Sequence, residues 1–201
     1  MLVAGLTGNI GMGKSHVLSI FESLGAITID SDVIVDSLLR DRHIINKIAD
    51  ILGKAVINND GSLDKVAVAF NVFNNDKLRH KLEALIHPLV FKEIDSFLSS
   101  IRKKKCIVIV EVPLLFEGKY QRHFDRTITV YTSKKTAFER LKLTGISKAQ
   151  ASKRMDAQMP IAFKKKLADY TLNNGGTKQN TRKQVKFVYG LLLEEMATEL
   201  S

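Results

Sequence analysis

A dense group of glycines near the start of the chain stands directly before a lysine and a serine. The stretch GLTGNIGMGKSHV, residues 5–17, joins these glycines to a pattern that suits a helix. Ordered glycine loses more backbone freedom than any other residue, so such a cluster beside a strand indicates that something approaches the backbone closely. A phosphate group is the candidate, since backbone N–H groups of such a loop can point at phosphate oxygens.

The spacing of Gly8, Gly13, Lys14 and Ser15 fits the pattern G-x-x-x-x-G-K-[ST], between a predicted strand and a predicted helix, as the pattern requires. In this arrangement the lysine reaches the β- and γ-phosphates of a nucleotide, and the serine hydroxyl is a ligand of Mg²⁺. We therefore predict a site for ATP and Mg²⁺. The predicted phosphate loop comprises Gly8, Asn9, Ile10, Gly11, Met12, Gly13, Lys14, Ser15 and His16.

Two aspartates, Asp30 and Asp32, follow the second predicted strand in the string TIDSDVI. A small-molecule kinase needs a carboxylate that orients and deprotonates the acceptor hydroxyl, and ligands of open α/β sheets bind at the carboxyl ends of the strands. Alternatively, one of the two aspartates caps the following helix, and spacing alone does not separate these interpretations. A GTP-dependent switch is disfavoured, because the string nearest to its N-K-x-D element, NKIAD at 46–50, is one residue too long.

The elements that must position these residues alternate between short β-rich runs and longer helical patterns, which is typical of a parallel sheet covered by helices. Residues 33–105 look mostly helical and predict an insertion, and the helical, basic stretch 145–166 suits a mobile cover. We predict one α/β domain over 1–201, with three α/β/α layers, that insertion, and a basic helical lid over about 140–166. The predicted strands are 2–6, 26–29, 106–112, 126–131 and 170–173.

Composition limits the class of protein. A chain of 201 residues that is 45% hydrophobic can bury one substantial core. Its single cysteine, Cys106, cannot form an internal disulfide, which suits a reducing compartment. No window approaches the ~20 apolar residues of a membrane span, and the first residues lack a basic leader. We therefore expect a soluble, cytoplasmic protein without a membrane partner.

The formal net charge of +10 attracts polyanions, which include nucleic acids and small ligands with several phosphates. The densest basic runs, 102–105 and 164–166, lie beside apolar helical segments and are interpreted as solvated helix ends. The chain has no tryptophan, and aromatic residues are not interleaved with these runs as in proteins that stack bases. We therefore expect small-molecule substrates and no nucleic-acid partner. The sequence does not predict an oligomeric state.

Six strings occur in the order and rough spacing of the dephospho-CoA kinase family, and the resemblance runs from about residue 2 to residue 176. HPL and PLLFE, in that order after a phosphate loop, are more discriminating than the loop itself. The resemblance implies a P-loop NTPase fold and transfer of the ATP γ-phosphate to the ribose 3′-hydroxyl of dephospho-CoA, the final step of coenzyme A synthesis. The strings are GLTGNIGMGKS, IDSDVI, IHPLV (86–90), VPLLFE (112–117), RMDAQMP (154–160) and ADYTLNNGG (168–176).

The resemblance also implies roles for single residues. Asp32 corresponds to the general base, and Asp30 belongs to the shell of Mg²⁺ and water. Arg140 and Arg154 resemble arginines of the family's lid that clamp phosphates through their fixed fork of donors, with Lys14 as a further catalytic cation. Acceptor-binding positions are His87, Pro88, Leu114 and Leu115, and positions near the adenine are Asn174 and Gly175.

Some assignments keep an alternative. Pro88 also suits a helix kink, and Glu111 either orients metal-bound water or only supports the groups that do. Leu143 and Thr144 stand near the position of the family's second lid arginine, and the sequence leaves open whether Lys142 replaces it. Asn9, Met12 and His16 also depart from the family's usual residues. The rival functions are another small-molecule or nucleoside monophosphate kinase, and an ATP-switched protein that binds nucleic acid.

Overall fold

The computed structural model describes residues 1–198, whose strands and helices form two compact units. One unit contains residues 1–30 together with the chain from Lys103 onward, and the other contains Ser31–Arg102. In chain order the helices are Lys14–Ser23 (α1), Ser31–Leu38 (α2), Arg42–Leu52 (α3), Lys65–Asn74 (α4), Asp76–Ser100 (α5), Lys134–Leu143 (α6), Lys148–Asp156 (α7), Ile161–Leu167 (α8) and Lys178–Thr198 (α9), with 3₁₀ turns at Lys54–Val56 and Tyr120–His123.

The first unit is built on a parallel sheet of five strands. Its order, β2-β3-β1-β4-β5, brings the first and third strands together at the centre. All five predicted strands are confirmed, with ends that differ from the prediction by one residue at most. The strands are Leu2–Thr7 (β1), Ile27–Asp30 (β2), Ile107–Glu111 (β3), Arg126–Tyr131 (β4) and Tyr170–Asn173 (β5).

Both central strands are completely buried, because their continuous apolar sequences suit a parallel sheet covered on both faces. Helix α1 places Val17 and Phe21 in the core, and α9 adds Val185 and Leu192 to the same cluster. These apolar positions recur at the spacing of a helix face. The helices and the sheet therefore fix the carboxyl ends of β1 and β3 as rigid starting points for the loops that follow.

The second unit is helical throughout its longer elements. Its core includes Ile45 and Ile48 from α3 and Val90 and Ile94 from α5. Pro88 lies inside α5, where its ring removes one backbone hydrogen bond of the helix. The sequence-based expectation of a mostly helical region between the second and third strands agrees with these helices.

The basic stretch 145–166 contains two helices, α7 and α8, rather than one continuous helix. They are separated by the segment Ala157–Pro160, and Pro160 precedes the first turn of α8. Nowhere in residues 1–198 is there a helix with an apolar stretch long enough to cross a membrane.

The interpretation of residues 164–166 as a solvated helix end is wrong for Lys164. Its side chain is fully buried, and its ammonium group makes polar contacts inside the first unit. A run of three lysines beside an apolar segment does not reveal this, because the direction of the first lysine is set by distant parts of the chain.

Candidate active site

The phosphate loop connects the buried end of β1 to the start of α1. Gly13 precedes the helix with a left-handed φ of 81°. No side chain of the described residues caps α1, and its first turn holds no acidic residue. The first N–H groups of the helix and the positive end of its dipole therefore suit an anionic ligand, such as a phosphate.

Lys14 and Ser15 open α1 beside the carboxylate of Glu111, the last residue of β3. The Lys14 Nζ lies 3.6 Å from Glu111 Oε1, and the Ser15 Oγ lies 3.5 Å from Glu111 Oε2. Glu111 is almost completely buried. The motif lysine, the motif serine and a strand-end acid thus meet at the carboxyl edge of the sheet.

Two carboxylates end adjacent strands at this edge, because the register of β2 and β3 places Asp30 opposite Glu111. Mg²⁺ in kinase sites is bound through one or two carboxylates together with substrate phosphates. In residues 1–198 no group of three or more histidine, cysteine, aspartate or glutamate side chains could hold a metal by itself. The donors at the edge therefore fit an ion that is shared with a phosphorylated substrate.

Asp32 lies in the second unit as the second residue of α2, which begins at Ser31. A capping residue precedes the first helical position. The capping alternative for this pair of aspartates therefore concerns Asp30, whereas Asp32 lies within the first turn of the helix. The prediction of Asp32 as the general base stays a prediction.

Three glycines of the phosphate loop are required by close packing within the protein, and a Cβ atom on one of them, Gly11, would collide with the carbonyl oxygen of Ala137. A Cβ atom on Gly8 would collide with the carbonyl oxygen of Val130, and one on Gly13 would collide with the side-chain amide of Asn174. The positive φ of Gly13 disfavours other residues in addition. The loop backbone is therefore held close to the ends of β4 and β5.

Asn174 and Arg140 both bind the backbone of the phosphate loop. Asn174 donates its amide hydrogens to the carbonyl oxygens of Met12, at 2.9 Å, and Gly13, at 3.3 Å. Arg140 on α6 donates to the Met12 carbonyl at 3.3 Å and to the Asn174 carbonyl at 2.7 Å. The structure brings these two predicted residues to the loop, and Gly175 follows directly in the chain.

Helices α6 and α7 pack against the phosphate loop through Met12, one of the positions that departs from the family pattern. Met12 is buried in a small cluster with residues of α6 and α7. Arg154 lies on α7 and is exposed. At the end of α6, Leu143 is 87% exposed, and Lys142 beside it is exposed as well. The apolar cluster consists of Met12, Ala137, Leu141, Ala151 and Met155.

The predicted acceptor-binding residues fall on two elements. His87 and Pro88 belong to α5 of the second unit, and burial lowers the pKa of the His87 imidazole while the charge of Glu83 raises it. Leu114 and Leu115 follow β3 in the first unit. Leu114 is partly exposed, whereas the side chain of Leu115 is fully buried against Gly5.

Three polar residues near the phosphate loop were missed as site residues in the sequence. Gln158 and Glu117 stood inside the strings RMDAQMP and PLLFE, so a signal was present for them. Lys164 stood in a run of lysines and had no signal. Gln158 accepts a hydrogen bond from the backbone N–H of Ile10 at 2.9 Å.

The parallel sheet, the glycine-rich loop between β1 and α1, and the lysine and serine that open this helix define a P-loop nucleotide-binding protein of the α/β class. The chain belongs to the dephospho-CoA kinase family, since the family model of that description matches residues 2–180. Members of this family are kinases and therefore transferases, with ATP as a substrate.

Similar proteins agree with this membership. The chain is 36% identical over 186 residues to a protein named dephospho-CoA kinase from Aquifex aeolicus. The aligned region covers 92% of this chain and 94% of that protein. A crystal structure from Thermus thermophilus matches with a TM-score of 0.83 at 30% identity, covering 95% and 97% of the two chains. The structure of dephospho-CoA kinase from Campylobacter jejuni matches with a TM-score of 0.71 at 25% identity, covering 96% and 98%.

Proposed function

We propose that the protein transfers the γ-phosphate of ATP to the ribose 3′-hydroxyl of dephospho-CoA and thereby makes coenzyme A, the last step of its biosynthesis. Membership of the dephospho-CoA kinase family over residues 2–180 is the observation that carries this proposal. The convergence of Lys14, Ser15 and Glu111 at the carboxyl edge of the sheet supports it. The high positive charge suits two substrates that each carry several phosphates.

The phosphate loop and the start of α1 bind the phosphates of ATP in this proposal. Lys14 is attracted to Glu111 at 3.6 Å, a distance longer than a hydrogen bond, so its ammonium group can turn to a phosphate oxygen. Lys14 and the lid arginines Arg140 and Arg154 stabilise the charge that develops on the transferred group. Asn174 and Gly175 border the adenine.

Ser15 and Asp30 would hold Mg²⁺, and Glu111 lies where it could orient water around the ion. The hydroxyl of Ser15 contacts Glu111, which the strand register places beside Asp30, so all three oxygen-bearing groups belong to one edge. Such an ion, when bound, would supply positive charge that neutralises the phosphates of the substrate. The charges of both carboxylates suit such a hard cation, which prefers oxygen ligands.

In the transfer step the 3′-oxygen of the ribose forms a bond to the γ-phosphorus, and the bond from that phosphorus to the bridging oxygen of ADP breaks. Asp32 accepts the proton of the attacking hydroxyl. Arginine and lysine side chains provide most of the remaining catalysis by stabilising charge, because the loose transition state of phosphoryl transfer leaves little covalent chemistry to the protein.

His87 and Pro88 on α5 and Leu114 after β3 contact the acceptor. Burial keeps the pKa of the His87 imidazole below its usual value, so His87 is neutral near pH 7 and can act as a hydrogen-bonding group rather than as a cation. The side chain of Leu115 is buried, so a contact of this residue with the acceptor would use its backbone. We also propose that the enzyme works in the cytoplasm.

An acceptor panel tests the proposal. The protein is incubated with MgATP and, separately, with dephospho-CoA, AMP, CMP and shikimate, and ADP release is measured. We expect turnover with dephospho-CoA that exceeds turnover with the other acceptors by at least about 10²-fold, because a site that hydrogen-bonds its substrate discriminates strongly. Preference for a nucleoside monophosphate would establish the rival kinase. Steeply salt-dependent binding of RNA or DNA, without a phosphorylated product, would establish the ATP-switched binding protein.

A further inference from the structure

Lys164 has the only fully buried side chain among the lysines that the structure describes, and its ammonium group lies at the edge where β1 and β3 end. Its Nζ donates to the carbonyl oxygen of Pro113 at 3.0 Å. The same carbonyl accepts a hydrogen bond from the hydroxyl of Thr7 at 3.0 Å. Thr7 is the last residue before the phosphate loop. The Pro113 carbonyl therefore connects Lys164 to the residue from which that loop starts.

The second partner of Lys164 is Glu117, which connects the lysine to the segment between α7 and α8. The Lys164 Nζ lies 2.8 Å from Glu117 Oε1. The same carboxylate oxygen accepts the backbone N–H of Met159 at 2.9 Å. One oxygen thus joins the buried ammonium group to the backbone of the segment that carries Gln158 and Met159.

Gln158 and Met159 in turn contact the first residues of the phosphate loop. The side-chain carbonyl of Gln158 accepts the Ile10 N–H at 2.9 Å, and the Met159 carbonyl accepts the side-chain amide of Asn9 at 3.1 Å. The contacts form a continuous chain from Lys164 through Glu117 and residues 158–159 to residues 9–10. Asn9, which departs from the family pattern, supplies one of its links.

We propose that Lys164 and Glu117 are positioning residues for phosphate transfer, which hold Gln158 and Met159 against Asn9 and Ile10 and so fix the backbone of the phosphate loop. This inference rests on the proposed kinase function. Neither residue needs to touch a substrate, because both act through the backbone of residues 158–159 and through the Pro113 carbonyl.

The electrostatics of Lys164 agree with a positioning role. Burial lowers the pKa of its ammonium group, the Glu117 carboxylate opposes that change through its hydrogen bond and charge, and the positive charge of Lys14 lowers the pKa further. A buried ion pair is weak evidence for stability, since well-packed apolar residues often replace one without loss. The placement of such a pair between three segments of the active site therefore indicates a use other than stability alone.

The first test compares Lys164→Met with Lys166→Met, which removes an exposed lysine of the same helix. We expect Lys164→Met to lower kcat by about 10-fold or more, because small misplacements of active-site groups are costly. The KM for dephospho-CoA should stay within about twofold, since uniform binding is not removed. Lys166→Met should retain the kcat of the wild type. Equal kcat values for Lys164→Met and the wild type would overturn the proposal.

Hydrogen exchange of the Ile10 amide measures positioning without any turnover. We expect this amide to exchange about 10-fold faster in Lys164→Met than in Lys166→Met, because its acceptor Gln158 is no longer held in place. An unchanged exchange rate would overturn the positioning role. This readout separates the two claims: a wild-type protein that makes no coenzyme A refutes the proposed function, whereas the exchange rate still decides the role of Lys164.

A double variant separates positioning from stability in case Lys164→Met folds poorly. Lys164→Met combined with Glu117→Leu replaces the whole ion pair with apolar groups, which should recover thermal stability relative to the single variant. It also removes the acceptor of the Met159 N–H, so kcat should stay low and exchange of the Ile10 amide should stay fast. Recovery of kcat and exchange together with stability would show that the pair is merely structural.

Discussion

Two lysine–glutamate pairs at the same sheet edge differ in how tightly they are held. In the loop pair, Lys14 and Glu111 are 3.6 Å apart, with 12% and 5% of their side chains exposed. In the buried pair, Lys164 and Glu117 are 2.8 Å apart, with 0% and 20% exposed. Lys164 also donates to the Pro113 carbonyl, whereas Lys14 lies beyond hydrogen-bond distance of its carboxylate.

The difference teaches that residue type does not assign a role at this site. The loose contact of Lys14 leaves its ammonium group able to exchange Glu111 for a phosphate oxygen. The short contacts of Lys164 hold it on two acceptors of the protein. We infer that Lys14 of the loop pair stabilises the transferred phosphate. The buried pair holds the phosphate loop in the position that this contact needs.

Asp32 belongs to neither pair. The loss of kcat on its replacement is the reference with which the losses from the two pairs are compared. We expect Asp32→Asn to lower kcat by about 10²- to 10⁴-fold with ATP binding largely preserved, because it removes the proton acceptor. Steady-state kinetics and nucleotide titration measure both quantities. As a control, Asp30→Asn should reduce kcat less and should be partly rescued by excess Mg²⁺. A fully active Asp32→Asn enzyme would move the base elsewhere, and Glu111 is the next candidate.

Breaking the buried pair should reduce the free energy of unfolding more than breaking the loop pair does. Lys164→Met leaves the Glu117 carboxylate without its cation, and such a change typically lowers the free energy of unfolding by about 3 to 5 kcal/mol. Urea denaturation at neutral pH measures it. Lys14→Met should lose clearly less in the same experiment. Equal losses for the two variants would contradict the distinction between the pairs.

Breaking the loop pair should instead act on turnover. We expect Lys14→Met to reduce kcat by about 10²-fold or more, as does the loss of one preorganised group that stabilises transition-state charge. The measurement is kcat at saturating MgATP and dephospho-CoA, with circular dichroism to verify the fold. Activity within about threefold of the wild type would contradict a phosphate-binding role for Lys14.

The buried pair should also limit which part of the lid is mobile. Residues 145–156 are expected to be cleaved by proteases in the free protein and protected when ATP and acceptor are both present. Residues 158–164 should resist cleavage in both conditions, because hydrogen bonds hold them at Asn9, Ile10 and Glu117. Limited proteolysis with mass identification of the fragments tests this, and cleavage of the two stretches at equal rates would count against it.

His87 differs from both lysines, because it is a half-buried titratable group in which burial lowers the pKa. Its folded-state pKa lies below the ordinary value near 6.5, so the unfolded chain binds more protons between these two values. Stability should therefore fall as pH decreases from about 6.5 toward the folded pKa. We expect His87→Gln to lose less stability than the wild type on acidification, measured by urea unfolding. Equal losses of stability for His87→Gln and the wild type over this pH range would contradict the prediction.

The sequence predicted the parts that local patterns determine. The five strands follow from short β-rich runs, and the phosphate loop follows from the spacing of Gly8, Gly13, Lys14 and Ser15. Both patterns lie within a few consecutive residues.

The buried pair could not be predicted in this way. Lys164 and Glu117 are separated by 47 positions along the chain. The residues around Lys164 in the sequence do not distinguish it from the exposed Lys166. Its burial depends on the Pro113 carbonyl and the Glu117 carboxylate, which only the folded chain brings to it. The division of residues 145–166 into two helices, by contrast, has a local signal in Pro160, which stands directly before α8.

The position of the transferred phosphate tests the central claim most directly. The wild-type protein is incubated with dephospho-CoA and MgATP that carries an isotopic label in its γ-phosphate, and the product is examined by mass spectrometry and phosphorus NMR. The account predicts coenzyme A with the label in a phosphomonoester on the ribose 3′-oxygen, together with an equal amount of ADP. Labelled inorganic phosphate without coenzyme A, or label at another position, would contradict it.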